Sequence, residues 1–221
     1  MSPKGLFGLV VFGSYRIGKT SLITKFIDGD FDRDEYNPSI GLQLYTKHGF
    51  PFQLSDNKEG NSESETSPRS APNVDIQIFE ATERGCVNSR RDFVYTRMSV
   101  VILAYAITDA PSFRTARSIL NRAREYESDN LSKSGPKIFL VGLMADREED
   151  RVVSLAQGEE LASEFGVNFR ELSALKDGEG VMSLFGDVAP FLVARDEKVK
   201  EVPREKANRW TRIWEMIIPW T

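Results

Sequence analysis

The apolar residues of this chain fall into two periods that alternate along its length. Leu6 to Phe12 is an apolar run short enough for a strand, and Leu22, Ile23, Phe26 and Ile27 then recur on one side of a helix that Asp28-Gly29-Asp30 stops. Leu42 to Tyr45 and Val74 to Phe79 alternate apolar with polar, which predicts two half-buried strands. Val100 to Ile107 and Lys137 to Gly142 are nearly continuous apolar runs, as expected of central strands covered on both faces. Thr108-Asp109 with Pro111 starts a helix through about Tyr126. Ser154 caps another over Leu155 to Phe165, which carries Glu159 and Glu160 in its first half and ends at Gly166. Asn168 to Leu172 is a short strand, and Val181, Leu184, Phe185 and Val188 mark a final helix that Pro190 is expected to end or kink. Six strands interleaved with helices predict an α/β fold with a mostly parallel sheet flanked by helices.

Three stretches break these periods. Ser55 to Asn73 has no apolar residue larger than alanine, so it cannot anchor in a core and reads as a mobile loop inside a hairpin. Ser67-Pro68 could serve as a phosphorylation site, but a plain solvated insertion is the simpler reading. Arg84 to Arg97 is polar and basic with Phe93 and Val94 as anchors, a loop passing into a short helix. Arg195 to Lys206 is a mixed-charge linker, after which Trp210, Ile213, Trp214 and Ile217 define an amphipathic helix over 208–220. The expected organisation is a domain over 1–193, with the insertion at 55–73, and a C-terminal extension over 194–221.

Composition narrows the function. Forty per cent hydrophobic and 28% charged residues describe a soluble globular chain, and a net charge of −4 argues against a nucleic-acid partner. The single cysteine, Cys86, excludes an internal disulfide and fits a reducing cytosol. It has no histidine partner in sequence, because His48 is the only histidine, so it reads as an incidental thiol. No secretory signal or long apolar run is seen, and no C-terminal prenylation motif, so no lipid anchor is expected. A cytoplasmic location follows. The 208–220 helix could dock on the domain or, through its tryptophans with Arg209 and Arg212, touch a membrane surface peripherally; its acidic residues favour docking.

The chemistry concentrates in Gly13-Ser14-Tyr15-Arg16-Ile17-Gly18-Lys19-Thr20, which reads G-x-x-x-x-G-K-T between the first strand and the first helix. Glycines there let backbone N–H groups turn around a phosphate chain without a Cβ in the way. Lys19 supplies a point charge, Thr20 a hydroxyl for Mg²⁺, and the helix N-terminus a positive potential. A glycine-rich turn that binds nothing is the plain alternative, and the strand before and helix after argue against it.

With these residues in hand, the chain resembles a Ras-superfamily small GTPase, particularly the Ras branch, over approximately residues 5 to 193. Asp34 to Ile40 looks like the first switch, Tyr105 to Asp109 with Ser112-Phe113 like the fourth strand and its helix, and Gly158 to Ala162, Glu164 to Gly166 and Glu171 to Ala174 like the closing pattern. The resemblance implies a P-loop small-G-domain in which Gly13 to Thr20, with Ser21 behind them, wrap the α- and β-phosphates. Phe31 would pack edge-on to guanine, and Asp146, Ser173 and Ala174 would read the base. Mg²⁺ would be held by Thr20 and Ser39, with Glu80 acting through water. GTP or GDP with Mg²⁺ are the implied ligands, and protein effectors and regulators of the cycle the implied partners.

Three departures from the family pattern matter. After Phe79 the chain reads Glu80-Ala81-Thr82-Glu83-Arg84-Gly85 where D-T-A-G-Q is expected. Glu80 is therefore one methylene longer than the usual aspartate, Glu83 takes the position of the γ-phosphate-sensing glycine, and Arg84 that of the water-orienting glutamine. Tyr15 and Arg16 replace small residues and are expected to crowd the γ-phosphate, with Arg16 supplying charge in cis as the less favoured role. N-K-x-D appears as Leu143-Met144-Ala145-Asp146, which keeps the guanine acceptor and loses the polar brace. If each lost hydrogen bond is worth about 1 kcal/mol, affinity falls by roughly one to two decades. The implied protein binds guanine nucleotide with Mg²⁺ and signals through partners with slow or absent hydrolysis. The alternative is a nucleotide-independent pseudo-GTPase acting as an interaction module.

Overall fold

The computed structural model describes residues 6–29, 43–51, 73–82, 98–129 and 135–199. Its strands are β1 (Leu6–Gly13), β2 (Gln43–Pro51), β3 (Asn73–Ala81), β4 (Val100–Ala106), β5 (Lys137–Leu143) and β6 (Asn168–Glu171). They form one sheet in the order β2-β3-β1-β4-β5-β6, in which only β2 runs antiparallel to its neighbour. The expected mostly parallel six-stranded sheet is therefore present. The β2–β3 pair is the predicted hairpin around residues 52–72, which lie outside the described residues.

Helices α1 (Lys19–Asp28), α2 (Ala110–Asp129), α3 (Leu155–Phe165) and α4 (Gly178–Val199) cover the two faces, with a 3₁₀ turn at Glu148–Asp150. The alternation of strand side chains divides the core in two. Leu9, Val11, Ile102 and Ala104 face α1 and α4, where Leu22, Phe26, Leu184 and Phe185 meet them. Val10, Val101, Leu103 and Tyr105 face α2 and α3, against Ala116, Leu120 and Leu161. Phe26 stacks on Phe185 at 3.7 Å between centroids and meets Phe50 edge-on at 5.2 Å, which clamps α1 between α4 and β2. Such pairs add about 0.5–1.5 kcal/mol beyond the area they bury.

Local signals set several ends as expected. Ser154 caps α3 by accepting from the Gln157 N–H while Gln157 Oε1 accepts from the Ser154 N–H, and Gly166 closes the helix in the left-handed conformation. Other ends differ. β2 continues beyond Tyr45 to Pro51 because a register shift between Lys47 and Phe50 absorbs His48 and Gly49 and hides the alternation. β3 begins at Asn73, the last residue of the segment read as a loop. α4 does not end at Pro190 but continues to Val199, into the segment read as linker. Pro190 deprives the Gly186 carbonyl of its helical donor, and burial of Val188, Ala189 and Leu192 around it carries the helix through. The helix predicted over 208–220 lies outside the described residues.

Candidate functional site

The loop predicted to hold phosphate leaves the sheet at Gly13, which ends β1 and pairs with Ala104 of β4. A Cβ on Gly13 would lie 2.3 Å from the Ala104 carbonyl oxygen and 2.7 Å from Ile17 Cδ1, so only glycine fits. The chain then turns through Ser14 to Gly18, and Gly18, at φ 95°, stands at the N-cap of α1 without a side chain to satisfy the helix amides. The first turn of α1 carries no acidic residue, so nothing there competes with a bound anion. Ile17 is buried in the core, which leaves its backbone as its contribution to the loop, and Ser21 lies partly exposed in the first turn. Lys19 is 3% exposed and folds back so that Nζ donates to the Ser14 carbonyl at 2.7 Å. This bond ties the ammonium to the start of the loop.

Tyr15 and Arg16 stand at the mouth of the same cleft as Lys19, Thr20 and Glu80. Both are exposed, and the Arg16 guanidinium carbon lies 5.2 Å from the centre of the Tyr15 ring. Arg16 adopts φ 62°, a left-handed conformation that costs a side-chain-bearing residue about 1 kcal/mol or more. Tyr15 and Arg16 thus contact each other at the mouth of the cleft, and Arg16 is held in strained backbone.

Thr20 and Glu80 meet directly. The Thr20 hydroxyl donates to Glu80 at 2.8 Å from Oε1 and 3.0 Å from Oε2, sharing one proton between the two oxygens. Glu80 is buried, and the Tyr45 hydroxyl from β2 also donates to its Oε2 at 3.1 Å and is shared with Gln43 Oε1. The extra methylene brings the carboxylate up against the threonine. A hydroxyl oxygen beside a carboxylate is the hard oxygen donor set that Mg²⁺ takes when phosphates and water complete its shell. Of the other residues proposed from sequence, Phe31, Ser39, Arg84 and its neighbours Glu83 and Gly85 lie outside the described residues.

The residues expected to read the base converge from the ends of β5 and β6. The Ala145 N–H donates to the Leu172 carbonyl at 3.3 Å and draws the two turns together. The Ser173 hydroxyl donates to Asp146 Oδ1 at 2.7 Å and accepts from the Lys176 N–H, which orients the carboxylate. Ala174, partly buried, follows it. Leu143 is buried, and its Cδ1 lies 3.8 Å from where a Gly18 Cβ would be, with Met144 Cε at 3.9 Å. Apolar side chains thus stand beside the loop where the resemblance expects a polar brace. Met144 itself sits at φ 64°, and its sulfur accepts from the Thr108 hydroxyl at 3.7 Å.

Two residues that the sequence reading did not single out support these loops. Arg151 grips Glu171 with two N–H groups, Nη2 to Oε2 at 2.8 Å and Nη1 to Oε1 at 3.1 Å, tying the segment after Asp146 to the one before Ser173. These bonds to Glu171 and Glu148 hold the guanidinium well above its already high ordinary pKa. Tyr45 is the other. The β2–β3 register brings Tyr45 to Glu80, and the segment after the 3₁₀ turn brings Arg151 to Glu171 of β6.

Comparison with known proteins decides the family, because the family model described as Ras family matches residues 8–192. The chain belongs to the Ras family. Among curated Ras-family relatives it is 31% identical over 193 residues to GTP-binding protein yptV2 of Volvox carteri, covering 87% of this chain and 77% of that protein. It is 28% identical over 184 residues to Ras-related protein RIC1 of Oryza sativa subsp. japonica, with 83% and 79% covered. It is 26% identical over 206 residues to Ras-related protein Rab-26 of Rattus norvegicus, with 93% and 71% covered. Among the described residues of this Ras-family chain, no helix is long and apolar enough to cross a membrane.

Proposed function

We propose that this Ras-family protein binds a guanine nucleotide with Mg²⁺, hydrolyses GTP slowly if at all, and acts in signalling through protein partners. One observation carries the reading: the glycine cradle with Lys19, the Thr20–Glu80 pair and the Ser173–Asp146 pair all lie at the ends of β1, β3, β5 and β6 that open on one side of the sheet. This is the edge of a parallel α/β sheet at which ligands bind.

The residues divide the work. The amides from Ser14 to Thr20 and the N-terminus of α1 accept the phosphates, and Lys19 neutralises them. Asp146, turned by Ser173, accepts from guanine N–H groups and so rejects adenine. Thr20 can donate its proton to Glu80 while its oxygen faces a cation, so the two side chains fit Mg²⁺ without rearrangement. Bound Mg²⁺ supplies neutralisation of phosphate charge. Slow hydrolysis is the expectation from Arg84 in place of the water-orienting glutamine and from the Tyr15–Arg16 pair at the mouth of the cleft.

The test is to purify the full chain, identify co-purified nucleotide, and titrate fluorescent GDP and GTP with and without Mg²⁺. Binding that Lys19→Ala abolishes supports the reading, and turnover faster than an unassisted Ras protein contradicts the slow-hydrolysis part. A second reading, a nucleotide-independent interaction module, draws on the internal partners of Lys19 and Thr20, which the fold itself supplies. Absence of guanine nucleotide binding at tens of micromolar would select it.

A further inference from the structure

We propose that Tyr45 is a positioning residue for Glu80, so that strand β2 sets how tightly the site holds its divalent cation. The inference rests on the nucleotide-and-Mg²⁺ reading above and concerns a residue outside the phosphate, base and metal positions.

The argument starts from length. A glutamate has one more rotatable bond than an aspartate, and a carboxylate at its end visits more positions unless both oxygens are held. In this fold they are held from opposite sides. The Thr20 hydroxyl reaches the carboxylate from α1, and the Tyr45 hydroxyl reaches Oε2 from β2. The antiparallel register explains the second contact. Gln43 lies opposite Glu80 and Tyr45 opposite Ile78, so Tyr45 leans diagonally across one pair to reach the carboxylate. Its ring packs partly buried against the core beneath α1, which fixes the hydroxyl in space. Gln43, from the same face of β2, has its Oε1 2.5 Å from that hydroxyl, so the single proton is divided between Gln43, the nearer acceptor, and Glu80, and the hydroxyl is held by both. The carboxylate therefore takes its position from two strands and a helix, and a displacement of β2 moves the metal-facing oxygens.

A tyrosine that merely satisfies its own hydroxyl would leave metal binding untouched, which makes the two roles separable. In the full chain loaded with GDP, Tyr45→Phe is expected to raise the Mg²⁺ concentration that half-suppresses GDP release by roughly tenfold, the value of one hydrogen bond to a charged group. Mn²⁺ affinity measured by electron paramagnetic resonance should weaken by a similar factor. GDP release in EDTA and the melting temperature should stay at wild-type values. In a Glu80→Asp background, where the shortened carboxylate withdraws from the tyrosine, adding Tyr45→Phe should change the Mg²⁺ midpoint by no more than about twofold. Equal Mg²⁺ midpoints for Tyr45→Phe and wild type overturn the proposal and leave the nucleotide reading standing. Faster release in EDTA as well as in Mg²⁺ overturns it in favour of a structural role. A wild-type chain that retains no GDP overturns the nucleotide reading and this inference with it.

Discussion

Gly13 and the carbonyl oxygen of Ala104 approach so closely that a methyl group on the glycine would sit 2.3 Å from that oxygen. Gly29, by contrast, has φ 78° and open space around its missing side chain. The two glycines are needed for different reasons, and alanine separates them. Gly13→Ala must push β1 from β4 at the base of the phosphate loop and is expected to cost about 3 kcal/mol. Gly29→Ala pays only for a left-handed alanine, about 1 kcal/mol. Urea unfolding of both variants measures the difference, and equal losses would refute the close-approach argument.

Leu143 and Met144 lie against the same glycine of the loop but differ in burial, and restoring the family residue at each should have different effects. Leu143→Asn places an amide among buried apolar side chains and is expected to lower stability by about 2–4 kcal/mol. Met144→Lys changes a half-buried side chain and should leave stability within about 1 kcal/mol. Its lysine should tighten GDP by up to about tenfold, one recovered hydrogen bond. Denaturation and fluorescence titration of the two variants check the pair of outcomes.

Tyr105 is fully buried in β4, with its hydroxyl 3.4 Å from Glu171 Oε1. Burial first, and the neighbouring carboxylate second, push its ionisation above the tyrosine range. The folded pKa thus exceeds the unfolded value of about 10, so the stability held by the neutral phenol is complete below that pH and is lost as pH rises above it. Unfolding free energy should show no pH dependence from this group between about pH 7 and 9 and should fall beyond about pH 10. Tyr105→Phe should make that alkaline fall shallower. An unchanged slope in urea titrations at stepped pH would assign the fall to other groups.

Much of the fold was legible because its signals are local. Ser154 and Gly166 bound α3 through bonds within a turn, and the unbroken apolar run of β4 reads directly as a strand with two covered faces. The end of β2 was hidden by a register shift at His48-Gly49, which breaks the alternation that a reader follows. Pro190 misled because buried neighbours on α4 outweigh one missing helical bond. In the site, the loop and its lysine were plain from spacing. The left-handed backbone at Arg16 and Met144 was not, since glycine or asparagine usually marks it. The Tyr45–Glu80 contact needs the β2–β3 register, and no spacing in the sequence encodes that.

The strand order also sets a timetable. β1 is central, and its partners β3 and β4 follow it by a long stretch of chain, while Asp146 and Ser173 come later still. As the chain leaves the ribosome, Thr20 is made well before Glu80, and every residue proposed for the phosphates and the metal is made before Asp146 and Ser173. At ordinary rates of synthesis, roughly five to twenty seconds separate Glu80 from Ser173. During that interval the nascent chain holds the residues proposed for the phosphates and the metal and lacks both Asp146 and Ser173.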